Sequence, residues 1–561
     1  MNQHESLAIA HGPPLADEPG LGALTLPGFL REVTARHPAR EALVFHHPDG
    51  RIERWSYAEL WDRAVTVARA LAALGVGKDT RVGILMTNRP EFVAAAFGVG
   101  LAGGVAVTLS TFSTAPELRD LLQISAISVL LFERQVLKKD FGALLLELEP
   151  QFATAQPGEL RATAFPYLRY AAGVGADARG AIEDWNGFLA RGAGVAPGYI
   201  EARAATVRPA DTGVLFFSSG STGKPKGIFN AHRGVAIQCW RWRHILKLGD
   251  DVRSWTANGF FWSGNFASVL GATLAAGGSI VLQPTFDPPE ALRLMEAERV
   301  TRPFAWPHQY EQLAAAPNFA SANLSSFRYV DYQNRLGQHP TVKSTWSEPH
   351  SCFGITEGFT IVSAYPSTTP REITRDSHGL ALPGNTLKIV DPLSGATVRR
   401  GERGEIAVKG PTLMLGYLGI PLDETLDAEG FYRTGDGGYL DADGRLFWEG
   451  RLNDIIKTGG ANVSPLEVDG VLAACPGVKV ARTVGVPHET LGEMIVACVV
   501  PQAGATLRED AIREFAKSRL ASYKVPRRVV FVDESDLSLT GSAKVKLDAL
   551  RKLASARLQM K

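Results

Sequence analysis

Ser218-Ser219-Gly220-Ser221-Thr222-Gly223-Lys224-Pro225-Lys226-Gly227 follows directly on the apolar run Val214-Leu215-Phe216-Phe217. The apolar run predicts a buried strand that delivers the chain into a loop of backbone amides, hydroxyls and ammonium groups. Glycine permits positive φ and close backbone approach, so successive N–H groups can converge on an anion. Ser218, Ser219, Ser221 and Thr222 add hydroxyl donors, and Lys224 and Lys226 add charge. Such a composition suits a polyphosphate. It is not the Walker loop: Ser218 stands where that motif has its first Gly, and Pro225 follows Gly223-Lys224 where Ser or Thr belongs. Taken alone, the stretch reads equally as a solvated surface turn.

At 561 residues the chain exceeds one ordinary hydrophobic core, so two or more domains are expected. Hydrophobic residues at 45% and charged residues at 21% are the proportions of a globular protein, not of a disordered one. A net charge of +1 offers no broad attraction to nucleic acid or anionic lipid, which points to a small molecule held in a local site. Cys239, Cys352, Cys475 and Cys498 contain no C-x-x-C pair, so buried reduced thiols are expected rather than metal ligands or disulfides. Met1–Gly20 lacks the basic start and apolar core of a signal peptide. The uncharged runs Phe92–Leu109 and Phe260–Leu282 are broken by Gly and polar residues and read as buried helix–strand pairs, not membrane spans. A cytoplasmic location is expected.

Outward from the glycine-rich loop, the first half alternates helical and strand patterns. Tyr57–Leu74 has helical apolar spacing, with Ser56 before it and Gly75 after it as a cap pair. Arg81–Met86, Val105–Leu109 and Ser128–Phe132 read as strands, and Arg89–Leu101 and Pro116–Ile124 as helices. Unalternating apolar strands between helices predict parallel sheets covered on both faces. Gln151–Val195 is richer in Gly, Ala and Pro, with a surface excursion expected around Ala171–Arg179. Gly234–Leu246, Phe266–Ala276 and Pro288–Glu298 read as further helices and Ser279–Leu282 as a strand. From about Leu380 short strands (Leu387–Val390, Gly404–Val408, Tyr439–Leu440, Arg445–Trp448) alternate with turns, among them the hairpin signal Asp443-Gly444. The fold class expected is α/β: a large N-terminal domain over 1–452 with a β-barrel-like module at about 380–450, then a small mobile α+β lobe over 453–561.

Four more segments bear chemistry. In Phe353-Gly354-Ile355-Thr356-Glu357 the ring offers a flat face for a base, and Glu357 a carboxylate suited to Mg²⁺; alone, Thr-Glu is usually a helix start. In Tyr432-Arg433-Thr434-Gly435-Asp436 a carboxylate on a glycine turn suits two ribose hydroxyls, though Gly-Asp is also ordinary turn chemistry. Gly450–Gly460, from Gly450-Arg451-Leu452-Asn453-Asp454 to Lys457-Thr458-Gly459-Gly460, forms a polar joint before the last lobe. Leu537–Lys544 places a lysine after a small-residue turn, a position where most lysines are merely solvated.

In their order and spacing these segments resemble the adenylate-forming superfamily of acyl-CoA synthetases, stand-alone adenylation domains and firefly-type luciferases. The loop matches that family's signature, and the resemblance runs from Gly75-Val76-Gly77-Lys78 through Asn88-Arg89-Pro90-Glu91 to Ala521–Arg527, nearly the whole chain. It implies ATP, Mg²⁺ and CoA as reactants or cofactors, and a carboxylic acid as substrate. Loop residues Ser218 to Lys226 would cradle the β- and γ-phosphates. Thr356 would touch the α-phosphate, Glu357 would hold Mg²⁺, Phe353 and Gly354 would meet adenine, and Asp436 with Arg451 would take the ribose. Lys544 would bridge the attacking carboxylate and the α-phosphate. A rotation at Asn453 would then withdraw Lys544 and bring Gly459 and Gly460 beside an entering thiol.

Three positions depart from the family pattern. Asn453 stands where Asp or Lys is usual, and Ala543 replaces a Gly before the lysine. Tyr329–Leu336 replaces a Gly-Gly-Ala-Pro-like stretch, which puts Gln333, Asn334 and Arg335 where relatives have little bulk. Either Gln333 and Asn334 shorten the acyl pocket or give it polar groups for a functionalised acid, or a one-residue shift leaves them outside. Phe261, Trp262 and Trp306 suggest apolar or aromatic walls for that pocket, and the absence of Asp in Asn258–Asn265 argues against an α-amino acid. Gly459–Pro465 looks most like the CoA-using branch. Loading of a carrier-protein pantetheine, and a degenerate adenylate-binding protein, stand as alternatives, and a homodimer stays open.

Overall fold

The computed structural model describes residues 6–218, 226–349, 351–454, 456–458, 461–489, 491–520, 524–537 and 547–559. Contacts divide the chain into two units, one of 11–386 with 408–432, the other of 1–10, 387–407 and 433–561.

The first unit is built on two largely parallel sheets, as the unalternating strands predict. The eight-stranded sheet runs in the order Ile182–Asp184, Tyr170–Val174, Val129–Glu133, Arg81–Leu85, Val105–Thr108, Thr212–Ser218, Lys226–Ala231, Gly416–Tyr417. Its first six strands are mutually parallel and its last two pair antiparallel. The five-stranded sheet runs Arg302–Phe304, Arg253–Thr256, Ser279–Leu282, Glu41–His46, Ile52–Ser56, with only the final pair antiparallel. Helices Tyr57–Ala73 and Pro90–Leu101 share the main core with strands of both sheets. The former opens on a capping box of Ser56 with Glu59 and is followed by Gly75 at φ +78°, the cap pair expected from sequence. The excursion expected around Ala171–Arg179 holds only in its second part: Tyr170–Val174 is a largely buried strand, and of the residues after it Gly175, Asp177, Ala178 and Arg179 are exposed. The strand's middle residues Ala171, Ala172 and Gly173 are small and weakly β-prone, so their burial comes from pairing with Val129–Glu133 rather than from propensity.

The second unit holds the β-rich module and the last lobe. The module's strands Thr386–Val390, Gly404–Lys409, Tyr432–Leu440 and Leu446–Arg451 lie side by side in that order. In the last lobe Val478–His488 and Gly492–Pro501 form a long hairpin, joined in parallel by Arg528–Phe531. Helices Pro465–Ala473 and Glu509–Lys517 add residues to a core on this sheet. Among the described residues, no helix is long and apolar enough to cross a membrane. Cys239, Cys475 and Cys498 are buried free thiols, as expected, whereas Cys352 is exposed.

Candidate active site

The glycine-rich loop springs from the carboxyl end of a central strand. Ser218, last in its strand, is registered opposite Lys226, first in the returning antiparallel strand of a hairpin. Val214 and Leu215 pair with Ala106 and Val107, which fixes the hairpin's base in the parallel part of the sheet. In open α/β sheets this carboxyl edge is where ligands bind. Ser219, Gly220, Ser221, Thr222, Gly223 and Lys224 themselves lie outside the described residues.

The returning strand also pairs with Gly416–Tyr417, Ile228 opposite Tyr417. That pairing brings Tyr417 to the Thr356–Gly358 turn. Its hydroxyl donates to Glu357 Oε1 at 2.6 Å and lies 2.7 Å from the Tyr432 hydroxyl. Lys226 Nζ sits 5.1 Å from the Tyr417 ring centre, at cation–π range. Burial and the neighbouring Glu357 charge push the Tyr417 phenol far above its ordinary value, so it stays a donor. The backbone of the turn is tied from outside: Met414 N donates to Glu357 O at 2.7 Å, and Gln238 Nε2 to Gly358 O at 3.2 Å. Phe353 and Gly354 precede the turn in a strand against Thr360–Ala364, with a register break between them. A Cβ on Gly354 would lie 2.2 Å from Thr360 O, so only glycine fits there. Phe353 is buried.

The donor set around Glu357 fits Mg²⁺. That ion is ordinarily held by one or two carboxylates together with substrate phosphates and water. Among the described residues Glu357 Oε2 accepts no hydrogen bond, and no group of three His, Cys, Asp or Glu forms a protein-only cage.

In the other unit, Asp436 lies opposite Arg451 across the Tyr432–Leu440/Leu446–Arg451 hairpin. Its carboxylate is 3% exposed and takes Arg451 Nε and Trp448 Nε1, both 3.1 Å from Oδ1. Gly435 at φ +71° makes the turn, and Thr434 Oγ1, itself donating to Ile406 O at 2.7 Å, accepts Asp436 N at 3.1 Å. Arg451 Nη1 donates to Thr434 O at 3.0 Å. The Gly-Asp pair is thus more than a surface turn: a buried carboxylate is held in one orientation. Leu452–Asp454 follows as a short 3-10 turn, with the Asn453 side chain outside the description. Gly459, Gly460 and Lys544 also lie outside the described residues, as does the Ser218 side chain.

Phe261, Trp262 and Trp306 do come together. Their ring centres are 4.8 Å apart for Phe261–Trp262 and 4.9 Å for Trp262–Trp306. Phe112, which the sequence reading did not single out, stacks on Trp262 at 5.8 Å and is 62% exposed. This segment is tied to the carboxyl edge of the eight-stranded sheet. Asn88 Nδ2 donates to Asn258 O at 2.8 Å, its Oδ1 accepts Phe260 N at 2.9 Å, and Thr108 Oγ1 donates to Phe261 O at 3.2 Å. Gln333 and Asn334 go elsewhere. Gln333 is exposed and donates to Tyr332 Oη at 2.9 Å, while Asn334 Oδ1 closes a turn by accepting Gly337 N at 2.8 Å. The expectation that these two line the acyl pocket gives way to the alternative, because their polar groups are committed to a surface turn.

Sequence reasoning passed over Tyr417, Trp448, Asn88 and Phe112. Their roles come from strand register and inter-element contacts, for which a single residue carries no local signal. Asn88 could have been found, lying inside the quoted Asn88-Arg89-Pro90-Glu91 segment.

Comparison with known proteins gives the same placement. Residues 30–418 match the family model of AMP-binding enzymes, and residues 467–544 that of the AMP-binding enzyme C-terminal domain. A (7a-methyl-1,5-dioxo-octahydro-1H-inden-4-yl)propanoyl:CoA ligase of Mycobacterium tuberculosis is 32% identical, over 94% of this chain and 99% of the relative. Indoleacetate–CoA ligase of Aromatoleum aromaticum is 30% identical, over 95% of this chain and 99% of the relative. The crystal structure of ATP-bound MatB from Rhodopseudomonas palustris is similar at a TM-score of 0.72 and 25% identity, covering 94% of this chain and 99% of that one. With two family models spanning most of its length and full-length ligase relatives, this chain belongs to the adenylate-forming family of AMP-binding enzymes, in its acyl-CoA ligase branch.

Proposed function

We propose that this chain activates a carboxylic acid with a bulky apolar or ring-bearing body, releasing pyrophosphate, and passes the acyl group to the thiol of CoA. One observation carries the reading. Tyr417 joins the strand leaving the glycine-rich loop to the Thr356-Glu357 turn, so motifs 130 residues apart in sequence share one hydrogen-bonded edge.

In the first half-reaction a carboxylate oxygen attacks the α-phosphorus while pyrophosphate leaves. Little covalent work falls to the protein, whose task is alignment and charge neutralisation. The loop amides and Lys224 and Lys226 take the β- and γ-phosphates, and Thr356 the α-phosphate. Mg²⁺, when bound at Glu357, would neutralise phosphate charge. Tyr417 holds Oε1 by its hydrogen bond, which leaves Oε2 to serve as the ligand atom. Asp436 accepts the ribose hydroxyls, its own orientation held by Arg451 and Trp448. Lys544 steadies the two reacting oxygens. For the second half-reaction, rotation at Asn453 replaces Lys544 with the Gly459-Gly460 segment.

The acid side rests on the Phe261, Trp262 and Trp306 rings, whose faces suit a flat or hydrophobic body. The relatives named for indoleacetate and for an octahydroindenyl propanoate both act on ring acids. The test is AMP and acyl-CoA formation across a panel of ring and straight-chain acids, with and without CoA. Ring acids are expected to lead, with acyl-CoA detected by mass. AMP without acyl-CoA would favour a carrier-protein acceptor. ATP binding without turnover for every acid would leave a degenerate adenylate-binding protein. Asn453→Pro, which fixes φ, is expected to spare acyl-adenylate formation and suppress the thioester step; equal loss of both sinks the hinge.

A further inference from the structure

Two elements frame the aromatic cleft: the edge strand Arg302–Phe304, which runs on to Trp306, and the helical segment that leaves Trp262 through Ser263–Asn265 and Phe266–Gly271. Alternation along extended chain puts residues 302, 304 and 306 on one face. The Arg302 guanidinium lies 5.5 Å from the Phe304 ring centre, as expected for neighbours on that face. The two elements are bridged twice. Trp306 meets Trp262 at 4.9 Å, and further back along the strand Arg302 Nη1 donates to Ser268 O at 2.8 Å. Arg302 therefore lies between the same two elements as the tryptophan pair, four residues back along the chain from Trp306.

Arg302 is an unusual residue to find there. It is 3% exposed, yet of the five N–H groups a guanidinium carries, one finds a protein acceptor among the described residues. Nε and Nη2 donate to no protein acceptor among the described residues. Glu348 lies near enough to act on Arg302 electrostatically, although the two make no direct ion pair among the described residues. Its backbone N donates to Asp331 Oδ2 at 3.0 Å, and its carboxylate accepts no hydrogen bond among the described residues. Burial draws the guanidinium down to about 10, with Glu348 opposing the shift, and desolvation holds the Glu348 carboxyl above its usual range. Tyr310 closes the remaining side, its Oη accepting Ala305 N at 3.2 Å. A buried cation with unmatched donors is costly unless some acceptor completes it. Glu348 balances its charge without satisfying its hydrogen bonds.

We propose that the acid taken by this site carries a neutral oxygen acceptor, a carbonyl or a hydroxyl, at the end remote from its reacting carboxylate, and that Arg302 donates to it. A second carboxylate would add a further negative charge to those of Glu348 and Asp331 around the one guanidinium, whereas a neutral oxygen completes the donors without adding charge. The inference rests on the reading that Trp262 and Trp306 flank the acid.

The test uses the full chain with matched ring acids of one length, the distal position bearing hydrogen, a ketone, a hydroxyl or a carboxylate, and reads kcat/KM for acyl-CoA formation. The native chain is expected to favour the ketone or hydroxyl acid over the hydrogen acid by about 10–100-fold, the range of a hydrogen bond to a charged group. Arg302→Met is expected to erase that ratio, and Arg302→Lys to restore part of it. Equal rates for the oxygenated and hydrogen acids on the native chain overturn the proposal, as does a ratio that survives Arg302→Met. A preference for the dicarboxylic acid overturns its neutral-acceptor part. Should Arg302→Met fail to fold, Glu348→Gln keeps the question open to decision: it is expected to admit the dicarboxylic acid, and an unaltered ranking counts against the proposal. If the hydrogen acid forms AMP and acyl-CoA while no ranking appears, only this inference falls. If no acid forms AMP, the ligase reading falls with it.

Discussion

Around Glu357 the contacts are short and directed: a 2.6 Å bond from Tyr417, a 2.7 Å contact from Tyr417 to Tyr432, and a 2.7 Å backbone bond from Met414. Around Trp262 they are ring faces 4.8 to 5.8 Å apart, with Phe112 exposed at the rim. Hydrogen bonds of the first kind lose most of their strength when angle or distance drifts, so they admit one arrangement. Ring contacts are shallow in orientation and tolerate exchange of shape. A reactant that never varies, such as ATP, suits the first construction, and a substrate that differs from relative to relative suits the second.

Substitutions can break this contrast or sharpen it. Lys544→Ala is expected to have the largest effect, lowering acyl-adenylate formation by about 10²–10³-fold while thioester formation from supplied acyl-adenylate survives. Pyrophosphate release and CoA consumption, followed separately, check it; survival of both steps would make Lys544 a surface lysine. Asp436→Asn comes next. It removes the charge that Arg451 and Trp448 address, and kcat/KM for ATP is expected to fall by about 10–100-fold with little change in KM for the acid. A comparable rise in KM for the acid would show that the nucleotide and acid regions are not separable.

Tyr417→Phe is milder. Loss of one hydrogen bond to Glu357 is expected to cost about 2–10-fold in kcat/KM and to raise the Mg²⁺ concentration for half-maximal rate. Calorimetric binding of ATP with Mn²⁺ should weaken in parallel, and unchanged binding would make the tyrosine a packing residue. Trp262→Leu is expected to move the ranking of acids by about 2–10-fold while KM for ATP holds. If the acid ranking stays fixed and ATP affinity moves instead, the cleft has been assigned to the wrong substrate.

Legibility in the sequence followed the same division. The helix over Tyr57–Ala73 was readable because Ser56, Glu59 and Gly75 are local signals that act within one turn. The strand ahead of the glycine-rich loop was readable because four consecutive apolar residues have few alternatives to burial. Tyr170–Val174 was not, since its small residues gain a place in the sheet only from a neighbour about forty residues earlier. Gln333 and Asn334 were read into the acyl pocket by position along the chain, whereas a turn closed by Asn334 and Gly337 spends their polar groups at the surface.

The sequence by itself determined the family and the α/β fold, and it named the groups proposed to surround the phosphates, because those groups lie in contiguous motifs whose chemistry is local. Tertiary structure alone decided which residues support them. Trp448 reaches Asp436 only through a bulged hairpin register, and Tyr417 reaches Glu357 only because an antiparallel strand was added at the sheet edge. Arg302 reaches Ser268 only because its strand lies against the helical segment that carries it. Local motifs are written in covalent order; support and specificity depend on distances that covalent order does not constrain.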